Sequence, residues 1–397
     1  MRRAERLLWC AFSALALLAP ASVPAAAQSV LAAGGLGLPI EPVDGRGRAL
    51  GSVGIGLLGT TVAPADPVGA VDLPIPTLAL TLQSSWLDVQ EGAQAASFSG
   101  NRFPALGVSY PVRDWGVLTL TYGAVLDQRW RHEHQDTVDL EAGEAVPILD
   151  RFRSEGGVSA VRLGFAHRVA PSLAVGGAVG MYTGSSSRQF TRFFDTIAAA
   201  GDIRPFQSSG RWSYSGPTAT IGAVVDIGTV VRGAAALTWS GTLEADPSDG
   251  TAGESRSYDL PLELRAALSG SLAPELSVLV SVRWADWSGT DDELEMPSVG
   301  GALMLGGGVE WGGASLFGRN LSVRLGWRRA DLPFRLEAGT EGSESAASGG
   351  LGLLLLARDD GFPLALVDLA IERGTRSAGT VSEDFWRSTL SLRVAGF

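Results

Sequence analysis

From about Pro74 onward the chain repeats one unit: a segment in which apolar and polar positions alternate, then a break rich in Gly, Pro, Asp or Ser. A period of two puts successive side chains on opposite faces of a strand. The pattern predicts strands over 75–87, 102–112, 116–130, 157–170, 173–186, 209–226, 229–243, 255–271, 276–289, 299–312, 321–335, 346–358, 363–374 and 385–397. That is about 14 strands, an even number, as a single-chain bacterial barrel requires. The breaks alternate in length. Arg113-Asp114-Trp115, Ala170-Pro171-Ser172, Asp226-Ile227-Gly228, Ala273-Pro274-Glu275 and Asp359-Asp360-Gly361 are short; 131–156, 187–208, 244–254 and 375–384 are longer and polar. Short periplasmic turns and longer extracellular loops account for the alternation and put both ends of the barrel in the periplasm.

The faces are legible on the clearest strands. Leu321, Val323, Leu325 and Trp327 oppose Ser322, Arg324, Gly326 and Arg328; Val278, Val280, Val282 and Trp284 oppose Ser277, Leu279, Ser281 and Arg283; Val367, Leu369 and Ile371 oppose Asp368, Ala370 and Glu372. An apolar face turned to lipid and a polar face turned to the lumen fit this division. Trp86, Trp115, Trp130, Trp239, Trp287, Trp311 and Trp386 fall near strand ends, where interfacial girdles form. The terminal Phe397 suits a barrel read by an outer-membrane assembly machinery, although it lies on the opposite parity from Trp386, Leu390, Leu392 and Val394. A bulge near Ala395-Gly396 would restore the match.

Composition narrows the class. The chain is 45% hydrophobic with 52 glycines, yet beyond residue 27 no apolar stretch is long enough for a spanning helix. In lipid every backbone group must be paired internally, so the alternative to helices is a closed barrel. A net charge of −11 speaks against nucleic acid as a partner, and all 31 basic residues are arginine. At the N-terminus, Arg2, Arg3 and Arg6 precede an apolar run over Leu7–Leu18 and a small-residue Ala25-Ala26-Ala27 site, the layout of a secretory signal. The only cysteine, Cys10, lies in that run. The domain reading is a signal over 1–27, an N-terminal hatch over 28–74 and an outer-membrane barrel over 75–397.

Several segments resemble the FadL-type outer-membrane transporters of long-chain fatty acids and other hydrophobic compounds. Val282-Arg283-Trp284-Ala285-Asp286-Trp287-Ser288 resembles the Trp-x-x-Trp-Ser stretch of that family's ninth strand, and falls on the ninth strand here. Gly307-Gly308-Val309-Glu310-Trp311 and Ser322-Val323-Arg324-Leu325-Gly326-Trp327 resemble the pair that follows. Glu372-Arg373-Gly374 through Glu383-Asp384-Phe385-Trp386 is similar to the ends of distant members. The resemblance implies 14 strands, a lumen plugged by an N-terminal hatch, extracellular apolar loops that gather ligand, and exit through a lateral gap at strand three, where Gly123 would permit a kink. Residues 28–74 have the length of a hatch, but Asp66-Pro67-Val68-Gly69 stands where the family carries Asn-Pro-Ala.

Candidate chemistry is sparse. Phe190, Phe193, Phe194 and Ile197 are spaced i, i+3, i+4, i+7 and predict a helical stripe in the connection after strand five, running on through Ala198–Ala200 and stopped by Gly201. On an extracellular loop such a stripe either packs against a neighbour such as Val146–Leu149 or collects apolar ligand. Inward arginines, Arg162, Arg265, Arg283 and Arg324, either hold a ligand carboxylate or pair with Glu263, Asp368 and Glu372. The candidate ligand contacts are therefore Phe190, Phe193, Phe194, Ile197, Arg283 and Arg324. His132-Glu133-His134 and the acids after it lack a third ligand at fixed spacing, so no metal centre is expected; acidic loops such as Asp291-Asp292-Glu293-Leu294-Glu295 suit solvent or cations bridging lipopolysaccharide. No Gly-x-Ser-x-Gly elbow and no histidine placed beside a nucleophile point to an enzyme. The expectation is a monomer without cofactor that sits among outer-membrane lipid and lipopolysaccharide and passes hydrophobic small molecules passively. The competing readings are a hydrophilic porin and a barrel for adhesion or assembly.

Overall fold

A computed structural model of the chain describes residues 29–396 except 93, 140–144, 196–203, 229, 249, 294–299 and 336–339. The proposed signal, Ile197 and Phe397 lie outside the described residues.

The alternating segments form 14 antiparallel wall strands. They are β1 Thr77–Glu91, β2 Gln94–Val112, β3 Gly116–Asp127 continued by Trp130–Asp139, β4 Ala145–Ala170, β5 Leu173–Phe194, β6 Phe206–Ile227 and β7 Val231–Ser240 continued by Thr242–Pro247. There follow β8 Arg256–Asp259 with Glu263–Ala273, β9 Leu276–Asp286, β10 Gly301–Leu316, β11 Arg319–Asp331, β12 Ser343–Ala357, β13 Pro363–Ala378 and β14 Val381–Ala395. β14 pairs with β1 from Val381↔Glu91 to Ala395↔Thr77, which closes the cylinder and leaves no edge there.

The face assignment holds. Val280, Leu325, Trp327 and Ile371 are exposed on the outer surface, whereas Leu279, Arg283, Arg324 and Asp368 are buried inside. A closed sheet with an apolar exterior and a charged interior is a membrane-spanning barrel. At the end of β14, Gly396 adopts φ +75 and donates to the Pro76 carbonyl, which interrupts the alternation one residue before Phe397.

Two expectations fail on the extracellular side. Much of 131–156 and of 187–208, read as polar loop, is strand: β3 runs to Asp139, β4 begins at Ala145, and β5 reaches Phe194. Above the bilayer neither face must be apolar, so the alternation that marks a lipid-facing strand disappears although the ladder continues. The helical stripe fails with it, because Phe190, Phe193 and Phe194 sit on β5 and not on a helix.

Residues 29–76 pack side chains on inward-facing residues of the wall. Their one α-helical turn, Gly45–Ala49, is capped by Asp44, whose carboxylate accepts from the Gly47 amide at 2.7 Å. Leu50, Val53 and Leu57 pack on Leu279 of the wall, and Ile55 and Val68 on Ala174, Val224 and Ala234. The helix and its following turn press against glycines of three adjacent strands. A Cβ at Gly308 would lie 2.8 Å from the Leu50 Cα, one at Gly350 2.6 Å from the Ala49 Cβ, and one at Gly326 would overlap the Gly51 amide. Gly326→Val is therefore expected to lower the thermal midpoint of the refolded barrel, at about 1–3 kcal/mol for overpacking. Gly349→Ala, whose added atom meets only contacts at 3.6 Å, is expected to leave it unchanged. Heat-dependent mobility in gels reads both.

Candidate functional site

The wall is not hydrogen-bonded uniformly. The β2–β3 ladder runs from Val112↔Gly116 up to Ala105↔Gly123 and ends there. Above that point β2 pairs with β1 alone, while β3 pairs on its other side with β4. The ladder with β4 shifts between Ala124 and Leu126, so Val125 is a bulge that bends β3 away from β2. Gly123 is not the kink itself: a Cβ there would lie 2.8 Å from the Pro64 Cβ and 3.1 Å from that of Pro42, so its role is to admit the inner segment.

The orphaned edge of β3 is taken by the chain's own N-terminal part. Leu38 and Pro39 pair antiparallel with Asp127 and Leu126, the Ile40 amide donates to the Val125 carbonyl at 2.8 Å, and the Ser29 amide donates to that of Arg129 at 3.3 Å. Residues 29–41 thus form a strap along the seam. Side chains span the remaining gap: Arg102 meets Asp127 at 3.1 Å, and Arg129 donates to the Asn101 carbonyl at 2.9 Å. At the outer end of the seam lies a cleft of about 310 Å³ whose lining includes Val30, Phe98, Arg131 and His132.

Inside the strap the lumen divides by chemistry. On one side is an apolar, aromatic layer that includes Leu126, Tyr182, Tyr214, Tyr258, Trp287 and Phe334, with Trp287 and Phe334 edge to face at 5.2 Å between centroids. A cavity of about 70 Å³ opens here, bounded by Ile40, Leu126, Tyr182, Leu260 and Trp287 and by the guanidinium of Arg162. On the other side a smaller polar cavity of about 50 Å³ meets a mesh of buried ion pairs. Arg328 bonds Glu372 at 2.9 Å, Arg376 bonds Glu383 at 2.9 Å, and Arg387 bonds Glu372 at 2.8 Å. Pro39 and Ile40 line both cavities and form the partition.

The predicted arginines fall in different settings. Arg324 is held by Glu310 at 3.0 Å and Asp368 at 2.5 Å, on the polar side. Arg283 borders the apolar cavity, where it and Arg265 (2.7 Å) both bind Glu41; Arg265 also bonds Glu263 at 2.6 Å. Arg162 is different. It is buried in the same cavity, its Nη2 donates to the Thr218 hydroxyl at 3.3 Å, and its Nε has no partner. Glu41 went unremarked in the sequence. Its signal was a single carboxylate between prolines in the apolar run Leu38-Pro39-Ile40-Glu41-Pro42, a setting that requires a cation.

The predicted phenylalanines form part of an extracellular wall. Phe190 lies on the lumenal face of β5 with Tyr182 and Ser186, its ring tilted against Phe152 at 4.8 Å between centroids and against Phe206 at 6.1 Å. Arg192 covers Phe190 at 5.7 Å, and its guanidinium, hydrogen-bonded to Asp150, holds that carboxyl below its ordinary range. Phe194 shares this face and opposes Ile148; Phe193 points the other way, opposite Leu149 and beneath Arg151 at 5.1 Å. The Val146–Leu149 stretch is thus the neighbour, met as strand partner. His132 and His134 stack at 6.5 Å, and no group of metal-ligating side chains occurs among the described residues.

The fold defines a closed 14-stranded antiparallel barrel, with residues of the N-terminal part packed on inward side chains of its wall. No family model and no curated protein matches the sequence. Solved structures do match. A FadL homologue from Pseudomonas aeruginosa is 12% identical, with TM-score 0.61 over 91% of this chain and 99% of that one. The toluene transporter TodX of Pseudomonas putida is 13% identical, with TM-score 0.55 over 90% and 98%. The monoaromatic hydrocarbon channel CymD is 15% identical, with TM-score 0.55 over 93% and 99%. The chain has the fold of the FadL-type channels.

Proposed function

We propose that the protein is an outer-membrane channel of the FadL type for passive uptake of hydrophobic compounds, with residues 28–74 as its plug. The observation that carries this reading is the coincidence of an apolar cavity with an incomplete wall. The Leu126 side chain bounds the cavity, and the same residue pairs with Pro39 at the seam. A compound that reaches the cavity is separated from the bilayer by the strap and by the Arg102–Asp127 and Arg129–Asn101 contacts that cross the seam. The likeness to a FadL homologue, a toluene transporter and a monoaromatic hydrocarbon channel supports the same assignment. A hydrophilic porin needs an open, charged constriction; here the charged half of the lumen is closed by its own ion pairs and by the plug.

In this account a hydrophobic molecule first contacts the lumenal aromatic wall at Phe190, Phe152 and Phe206. It then descends into the Tyr182–Trp287 layer and leaves sideways between β2 and β3 when the strap withdraws. Loss of the Phe190 ring should slow uptake by roughly fivefold, the equivalent of about 1 kcal/mol of aromatic contact. Phe190→Asp is expected to show that effect in an uptake assay with radiolabelled toluene, and Phe193→Asp, on the opposite face, a much smaller one. Equal effects of the two variants would sink the lumenal-wall step.

The seam is tested separately by a cysteine at Pro39 and another at Leu126, which are cross-strand partners. Oxidation is expected to stop uptake and reduction to restore it; uptake indifferent to oxidation would remove the lateral path.

A further inference from the structure

The register of the closing strands sets a continuous row of side chains on the outer surface. Trp327 on β11 pairs with Ala347 on β12, Ala347 with Arg373 on β13, Arg373 with Trp386 on β14, and Trp386 with Trp86 on β1. The three tryptophans are each about half exposed. Arg373 is exposed as well, and its guanidinium lies 5.2 Å from the centroid of the Trp386 ring. Such a contact leaves N–H groups of the guanidinium free to donate.

The rows above and below differ in chemistry. One outward row closer to the extracellular ends, Arg329, Ser345, Thr375 and Asp384 follow one another from β11 to β14. Two outward rows below the tryptophans, Val323, Leu351, Leu369, Leu390 and Leu82 line up on the same five strands. Exposed tryptophans mark the boundary between hydrocarbon and head groups. The leucines therefore face acyl chains, while Arg329 and Arg373 stand at the level of the head groups in the outer leaflet. Lumenal Arg324, Arg328 and Arg376 are held by carboxylates, whereas neither Arg329 nor Arg373 has an ion pair or hydrogen bond among the described residues.

We propose that this face binds a phosphorylated glycolipid of the outer leaflet. Arg329 and Arg373 each take one phosphate. The sugars lie between them over Ser345, Ala347 and Thr375, whose short side chains leave room and whose hydroxyls offer hydrogen bonds. The acyl chains run down over Leu325, Ile371, Leu351 and Leu369. Two dimensions favour this occupant over a glycerophospholipid. The arginines are two strands and two residues apart, about 12 Å between Cα atoms at ordinary sheet spacings, which suits phosphates at the two ends of a disaccharide. The apolar row beneath spans about 20 Å across its five strands, room for several acyl chains side by side. The inference rests on the outer-membrane placement within the channel reading, and it concerns the outside of the wall and not the route through the lumen.

The test uses native mass spectrometry of the refolded full barrel with three probes: lipid A bearing both phosphates, the same lipid with both removed, and phosphatidylglycerol. The native barrel is expected to hold the bisphosphorylated lipid about tenfold more tightly than the dephosphorylated one, the worth of a charge-assisted hydrogen bond. The double variant Arg329→Leu with Arg373→Leu is expected to lose that preference. Arg319→Leu, the same change of charge at the other end of β11, is expected to keep it. All three side chains are exposed, so these variants should fold, and heat-dependent mobility checks that they do. A preference unchanged in the double variant, or absent from the native barrel, overturns the proposal. Phosphatidylglycerol held as tightly as the bisphosphorylated lipid overturns the glycolipid assignment. Toluene uptake by the double variant is expected to match that of the native barrel. A native barrel that shows the preference but takes up no toluene supports this site while removing the channel reading alone.

Discussion

Everything in this molecule follows from the cost of an unpaired peptide group in hydrocarbon, several kcal/mol for each one. The 14 strands close on themselves because a free edge inside a membrane is untenable, and β14 meets β1 over 15 consecutive residue pairs. The same constraint makes the seam between β2 and β3 meaningful. There β3 bends at Val125 and loses its neighbour, and the strap at Leu38–Ile40 supplies the missing partners in its place. With the strap in place the wall is closed along this seam.

The strap is positioned by charge as well as by backbone pairing. Ser29 donates to Glu383 at 2.7 Å, Arg48 donates to the Glu41 carbonyl at 2.8 Å, and the Glu41 carboxylate reaches across to β8 and β9. Removing one partner of a buried pair of this kind costs about 3–5 kcal/mol, so these contacts hold the segment against the wall. Deeper in the lumen the hold is steric. The glycines at 308, 326 and 350 let the Ala49–Gly51 backbone lie directly against the wall. The upper part of the segment is thus held by charge and backbone pairing, the lower part by close packing.

Much of this was legible in the sequence, for physical reasons that differ from place to place. Strand number, order and inward faces were readable because lipid on one side and a polar lumen on the other impose period-two alternation, as at Leu321–Arg328. Above the membrane that pressure is absent. The strands around Phe152 and Phe190 therefore looked like loops, and the spacing of Phe190, Phe193 and Phe194 imitated a helix. The bulge at Val125 leaves no compositional mark, since it is defined by register against β4. The pairing of Arg324 with Asp368 was one of two readings the residues allowed. The setting of Arg162 was not legible, because what sets it apart is that it pairs with the Thr218 hydroxyl and with no carboxylate among the described residues, a matter of strands remote in sequence.

The claim on which the account turns is that the inner segment seals the barrel to ions while the cavity behind it still binds hydrophobic molecules. Single-barrel conductance in planar bilayers, recorded beside saturable binding of a fluorescent fatty acid, tests it most directly. The account predicts little or no steady current together with saturable binding. A large, steady ionic conductance without binding would contradict it and point to an open water-filled pore.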